Sequence, residues 1–136
     1  MTTEQNKAIV RGYMDEILSK GNLAVFDDYF AEEIVFNNSK LLKQQLAGML
    51  GLVHDAFPDF CVNVQDQIAE GDKVVTRVTF RGTHQGEYMG LPATGKQVTY
   101  TGIALDRISG GKVVEMWHVS DDLGMLRQLD VTLAMG

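Results

Sequence analysis

Apolar residues at helical spacing fill the first part of this chain and strictly alternating ones fill the second. That order predicts an α+β fold, with helices packed on one face of a mainly antiparallel sheet. Three observations carry it. Ile9, Val10, Tyr13, Met14, Ile17 and Leu18 recur at a helical period. Phe60, Val62, Val64 and Ile68 alternate with Cys61, Asn63, Gln65 and Gln67. Turn residues at Glu70-Gly71-Asp72-Lys73 and Ser109-Gly110-Gly111 fold the alternating runs back on themselves.

Each element has a local reason. Thr2 and Gln5 have capping-box spacing for the first helix, and Gly21-Asn22 ends it. A short second helix follows, with Leu23, Phe26, Tyr29 and Phe30 as its apolar residues, and Ile34-Val35-Phe36 reads as a short strand. Ser39 is a candidate cap for a third helix bearing Leu42, Leu46, Met49, Val53 and Phe57 on one face, which Pro58 closes. Val74 to Thr83 returns from the first hairpin. Residues 84–96 are glycine-rich and read as a loop. Strands over about 97–108 and 112–120 form the last hairpin, and Leu123 to Gln128 a final helical turn. Gly12, Gly48, Gly51 and Gly102 fall inside these elements, where glycine costs stability; each implies close packing or open space, and Gly102 leaves room for a ligand on the second reading.

Composition narrows the function. A chain of 136 residues with no internal repeat is one domain, 1–136, large enough to bury a core without staples. A formal net charge of -6 with no Lys/Arg cluster excludes a nucleic-acid partner. The single cysteine, Cys61, forms no internal disulfide, and no apolar run reaches the length of a membrane span, so a cytoplasmic, soluble protein is expected. The three histidines lack ligand spacing, so no metal site is expected.

The chemistry concentrates near the end. The last hairpin delivers Trp117 and, four residues on, Asp121, where a strand stops and a helical turn begins. A carboxylate at the mouth of an apolar cavity is pushed toward the range useful for proton transfer, which makes Asp121 the leading catalytic candidate. Asp121 also stands where a helix cap would, although Asp122 is the preferred candidate for that job.

The run from the hairpin through Trp117, Asp121, Gly124 and Gln128-Leu129 resembles the SnoaL-like polyketide cyclase family, within the nuclear transport factor 2-like fold. So do Phe57-Pro58-Asp59, Glu70-Gly71-Asp72-Lys73-Val74-Val75 and Gly82-Thr83-His84-Gln85-Gly86-Glu87. The resemblance runs from the first helix to Leu129. It implies a cone-shaped α+β barrel around an apolar pocket, and ring closure of a polyketide ester by intramolecular aldol condensation without metal or organic cofactor. It also implies that Asp121, four residues after the Trp and three before the Gly, is the acid/base. Where the chain departs from the family pattern, as at Phe36-Asn37-Asn38, the substrate is left open.

An enolate needs donors or delocalisation, and His118, His84, Tyr13, Asn37 and Asn38 are the donor candidates. Each has a second reading. Tyr13 is also simple helix core, Trp117 a core aromatic instead of a substrate platform, and His84 a loop-edge residue. Strict alternation sets Trp117, Val119 and Asp121 on one side and Met116, His118 and Ser120 on the other. On that pattern His118 belongs to the outer or dimer face unless a bulge near the strand end turns it inward. Two functions follow: an acid/base enzyme on an apolar carbonyl compound, such as a cyclase, isomerase or dehydratase, or a non-catalytic binding or dimerisation module. Val75, Thr79, Ile103 and Leu105 on the convex sheet face suggest a homodimer.

Overall fold

In the computed structural model of the chain, which describes residues 2–131, helices cover one face of a curved six-stranded sheet. Helix α1 (Thr3–Tyr13) opens with the expected capping box: Thr2 Oγ1 accepts from Gln5 N at 3.1 Å and Thr2 N donates to Gln5 Oε1 at 2.8 Å. It runs on into a π-helical turn, Met14–Ser19, that buries Met14, Ile17 and Leu18. Gly21, at φ 64°, ends the run in the left-handed conformation glycine tolerates.

The middle of the chain differs from the expectation. Helix α2 (Phe26–Tyr29) stops one residue early, and Phe30 opens strand β1 (Phe30–Phe36). Ser39 starts strand β2 (Ser39–Leu42) instead of capping a helix. The reason is the Asn37-Asn38 pair: both take positive φ, 47° and 72°, the left-handed pair of a two-residue hairpin. Helix α3 (Lys43–Ala56) therefore begins after Leu42, and the Phe57-Pro58 step closes it as expected.

Strands β3 (Cys61–Glu70), β4 (Lys73–Thr83), β5 (Gln97–Ser109) and β6 (Lys112–Ser120) form the meander, and helix α4 (Asp122–Gln128) follows. Sheet order is β2-β1-β6-β5-β4-β3, with only the β1–β6 pair parallel. β2 and β3 are edges, so the sheet curves without closing, and the expected barrel is an open half-barrel. A bulge in β3 between Val64 and Asp66 reverses the alternation, pairing Val64 with Val78 but Ile68 with Val75. Ile68 therefore leaves the Val62 and Val64 face and stands exposed on the convex side.

The core lies between helices and concave face. It joins Val10, Tyr13 and Ile17 to Phe30, Ile34, Val74, Val78, Ala104, Ile108 and Met116. Among the described residues no helix is long and apolar enough to cross a membrane.

Candidate active site

On β5 the even-numbered residues face inward, and one of them is an acid. Asp106 lies between Ala104 and Ile108 with no exposure at all. A buried carboxylate is costly without partners. Here the Tyr13 hydroxyl stands 3.0 Å from both of its oxygens. His118 Nε2 lies 3.3 Å from the same hydroxyl and 3.7 Å from Asp106 Oδ1.

Each partner arrives by its own local rule. Tyr13 ends α1 on its buried stripe, one position before the π-helical turn. His118 pairs with Ala104 across the β5–β6 ladder and so shares the concave face. No bulge near the strand end was needed to turn it inward: the one irregularity lies at the start of β6, beside Ile108 and Val113. The outer-face expectation for His118 fails because the side of β6 that carries Met116 and His118 is the one packed against the helices. Asn37 then holds the His118 backbone at both ends, donating from Nδ2 to its carbonyl at 3.1 Å and accepting its N–H on Oδ1 at 2.8 Å. Asn37 thus acts as a clamp on the strand and is not a cavity donor.

Donor and acceptor capacity assigns the protons. Tyr13 has one O–H, and a carboxylate is the stronger acceptor, so the phenol donates to Asp106. Nε2–H of His118 then donates to the phenol oxygen, which leaves the Nδ1 lone pair free of any protein partner among the described residues. Burial, with the Asp106 charge and hydrogen bond added, pushes the Tyr13 hydroxyl well above its ordinary 10.0, so it stays protonated.

A cavity of about 170 Å³ opens beside His118. Leu18, Phe30, Phe36 and Met116 line one side, Leu46, Met49, Leu50 and Val53 of α3 the other, and among the described residues His118 is its single polar side chain. Phe36 packs on the imidazole with ring centroids 5.7 Å apart.

The remaining candidates are elsewhere. Asp121 is exposed, on the convex side, and its Oδ1 accepts the Gly124 N–H at 2.9 Å as the cap of α4. Asp121 edges an open depression of the convex face, beside Thr101, Ile103 and Val119, instead of the cavity that His118 lines, and the cap position ties its carboxylate to backbone. The capping job falls to Asp121 and not to Asp122, which accepts from Ser120 Oγ at 2.7 Å. Trp117 also points outward, 40% exposed, and donates from Nε1 to Glu115 Oε2 at 2.6 Å; it is neither core nor cavity wall. A Cβ on Gly102 would meet Phe80 at 2.5 Å, so packing fills its concave side, while its other side lines an open depression with Thr101, Ile103, Val119 and Asp121. His84 is fully buried, with Nδ1 3.0 Å from Thr94 Oγ1 and its ring against Phe57, where it anchors the loop over residues 84–96. It does not line the cavity that His118 lines. No group of three or more His, Cys, Asp or Glu suited to a metal ion occurs among the described residues.

The Trp117 contact gives a direct reading of acid sensitivity. Hydrogen bonds from Trp117 and then Arg107 hold the Glu115 carboxyl below its usual 4.5. With a lowered folded-state value, the contact is intact above 4.5 and is lost only as pH falls through the lower value. Trp117 is the sole tryptophan, so its emission reports the loss alone. A fluorescence titration is expected to stay flat from neutrality to 4.5 and to change below it; in Glu115→Gln that step disappears.

Comparison with known proteins agrees with this architecture. The family model described as SnoaL-like polyketide cyclase matches residues 8–129. IdmH of Streptomyces antibioticus, provisionally a polyketide cyclase, is 30% identical; the match covers 93% of this chain and 99% of that one, with a TM-score of 0.84. A provisional polyketide cyclase of Acidithiobacillus ferrooxidans is 27% identical over 96% of this chain and 98% of its own, with a TM-score of 0.85. AclR of Streptomyces galilaeus, provisionally a hydroxylase, shares the fold at 24% identity and a TM-score of 0.82, over 96% of this chain and 100% of its own. No curated protein matches the chain. With its helices on an open curved sheet and the family match running from α1 to α4, the chain belongs to the SnoaL-like polyketide cyclases.

Proposed function

We propose that the chain is a cofactor-independent acid/base enzyme that closes a ring in a neutral, apolar carbonyl compound by intramolecular aldol addition. One observation carries the reading: the single polar side chain of the apolar cavity, His118, is backed by the buried Tyr13–Asp106 pair.

The reaction needs two proton transfers and one bond. Nδ1 of His118 takes a proton from the carbon beside a carbonyl, and the C–H electron pair passes into the enolate. The enolate carbon attacks the second carbonyl carbon of the folded substrate, forming the C–C bond and sending the carbonyl π pair to oxygen. The resulting alkoxide takes the proton back from the imidazolium. Between those steps the positive ring is stabilised by the Asp106 charge, carried through the Tyr13 hydroxyl. The apolar walls of the cavity hold the substrate folded and keep water from the enolate. Tyr13 and Asp106 are positioning residues in this scheme; the group that touches substrate is His118.

A second reading, a small-molecule-binding module, is favoured by Asp121, since the acid the family resemblance implies is engaged as a cap. Deuterium exchange of 2-tetralone in D2O, followed by NMR, separates the two without knowledge of the natural substrate. Exchange catalysed by the wild type and by Asp121→Asn, and lost in His118→Ala, supports the proposal. Loss in Asp121→Asn with retention in His118→Ala would return the chemistry to Asp121. Binding of 2-tetralone without exchange would leave the module.

We also propose a homodimer through the convex face, where Ile68, Val75, Ile103 and Val119 are exposed. Light scattering is expected to give twice the mass of one chain, and Ile103→Lys to halve it; a wild-type monomer would overturn the pairing.

A further inference from the structure

The glycines singled out inside helices and strands, Gly12, Gly48, Gly51 and Gly102, divide in two. A Cβ on Gly12 would collide with Tyr29 at 2.6 Å and one on Gly102 with Phe80 at 2.5 Å, so packing demands both. Gly48 and Gly51 of α3 are different: a Cβ on either would meet nothing within 4 Å, and neither has the positive φ that would call for glycine. They lie on the side of α3 turned away from the cavity, next to Leu52, which is 67% exposed. Glycine in an exposed helix interior weakens the helix and here returns nothing in packing. The N-terminus of α3 is also weakly held, since Leu42 at the cap position offers no side-chain acceptor; only Gln45 Oε1 takes the Leu42 N–H. Yet the opposite face of this soft helix, through Leu46, Met49, Leu50 and Val53, is one wall of the cavity. Across from it, Leu18 belongs to the π-helical turn, an irregularity frequent at functional sites.

We propose that α3 is the door of the cavity, opening by local unravelling through Gly48 and Gly51 to admit and release a neutral bicyclic or larger apolar ligand. The proposal rests on the cavity being the ligand site, as argued above. It explains why two helix-weakening residues stand where alanine would fit. If opening requires α3 to unwind, each Gly→Ala exchange lowers the open population about 4- to 5-fold, and the pair lowers it about 20-fold.

Two measurements on the full chain test this. Amide hydrogen exchange under native conditions is expected to show α3 opening well below the global level that governs β4 and β5, and Gly48→Ala/Gly51→Ala to slow α3 exchange about 20-fold. Stopped-flow fluorescence with 2-naphthol is expected to show association and dissociation slowed together by a similar factor in the double variant. Its Kd should be unchanged, because a door changes rates and not the site. Exchange of α3 only by global unfolding would overturn the proposal, as would binding rates equal to wild type. Failure of 2-naphthol to bind at all would overturn the cavity reading and the door together. Slowed rates in a protein that exchanges no 2-tetralone protons would overturn the chemistry and leave the door standing.

Discussion

Replacing His118 with alanine is expected to lower enzyme-dependent proton exchange about 10²- to 10⁴-fold, the range a positioned acid/base supplies. The fold should survive. His118 is partly exposed at 23%, its backbone clamp by Asn37 uses no imidazole atom, and the Phe36 ring can relax into the space. The substitution does leave the buried Tyr13–Asp106 pair with one partner fewer, but both members keep each other at 3.0 Å. A loss of rate with unchanged thermal midpoint and unchanged 2-tetralone binding identifies His118 as the group that moves the proton. An undiminished rate would remove it from the mechanism. Asp106→Asn extends the same test, since an amide keeps the shape but loses the charge. It is expected to lower kcat with little change in KM, as befits a residue that acts through another.

Tyr13→Phe, which removes one atom, is expected to cost about 2–3 kcal/mol of stability. The hydroxyl is the direct donor to a carboxylate with no exposure, and its removal leaves Asp106 with only His118, at 3.7 Å. Hydrogen bonds to charged groups contribute about 1.5–3 kcal/mol, and an orphaned buried charge costs more than the lost bond alone. Urea unfolding at neutral pH, with the m-value checked for constancy, measures it. A change below about 0.5 kcal/mol, the size of an ordinary surface substitution, would mean that Asp106 finds another donor. Tyr13→Phe should also reduce proton exchange, because the imidazolium loses its link to the Asp106 charge.

Local rules in the sequence determined most of the architecture. The Thr2–Gln5 capping box, the helical stripe through Tyr13, the Pro58 stop, the Gly110-Gly111 hairpin and the alternation of β4 to β6 all act between near neighbours. Expectation and structure differ where a short signal has two structural readings. Asn37-Asn38 makes a hairpin as readily as a helix approach, and a bulge at Gln65 turns Ile68 outward with no mark in the composition.

The site was half legible. Tyr13, His118 and Asn37 were visible as candidates, and a cue to Asp106 was present as well. The alternation that sets Ile103 and Leu105 on the convex face sets Asp106 on the concave one. A lone Asp in a strand reads as solvent-facing, however, because a buried carboxylate is stable only beside partners, and these partners stand 93 residues away at Tyr13 and on the next strand at His118. Likewise, Trp117 and Asp121 were conspicuous in the sequence, but which side of the sheet faces the helices is settled by the packing of α1 and α3, not by the alternation of β6 itself. The sequence determined the elements and their periodicities, which are local properties of the backbone and its side chains. Tertiary packing alone decided which face became the interior, and so which acid was buried beside the apolar cavity.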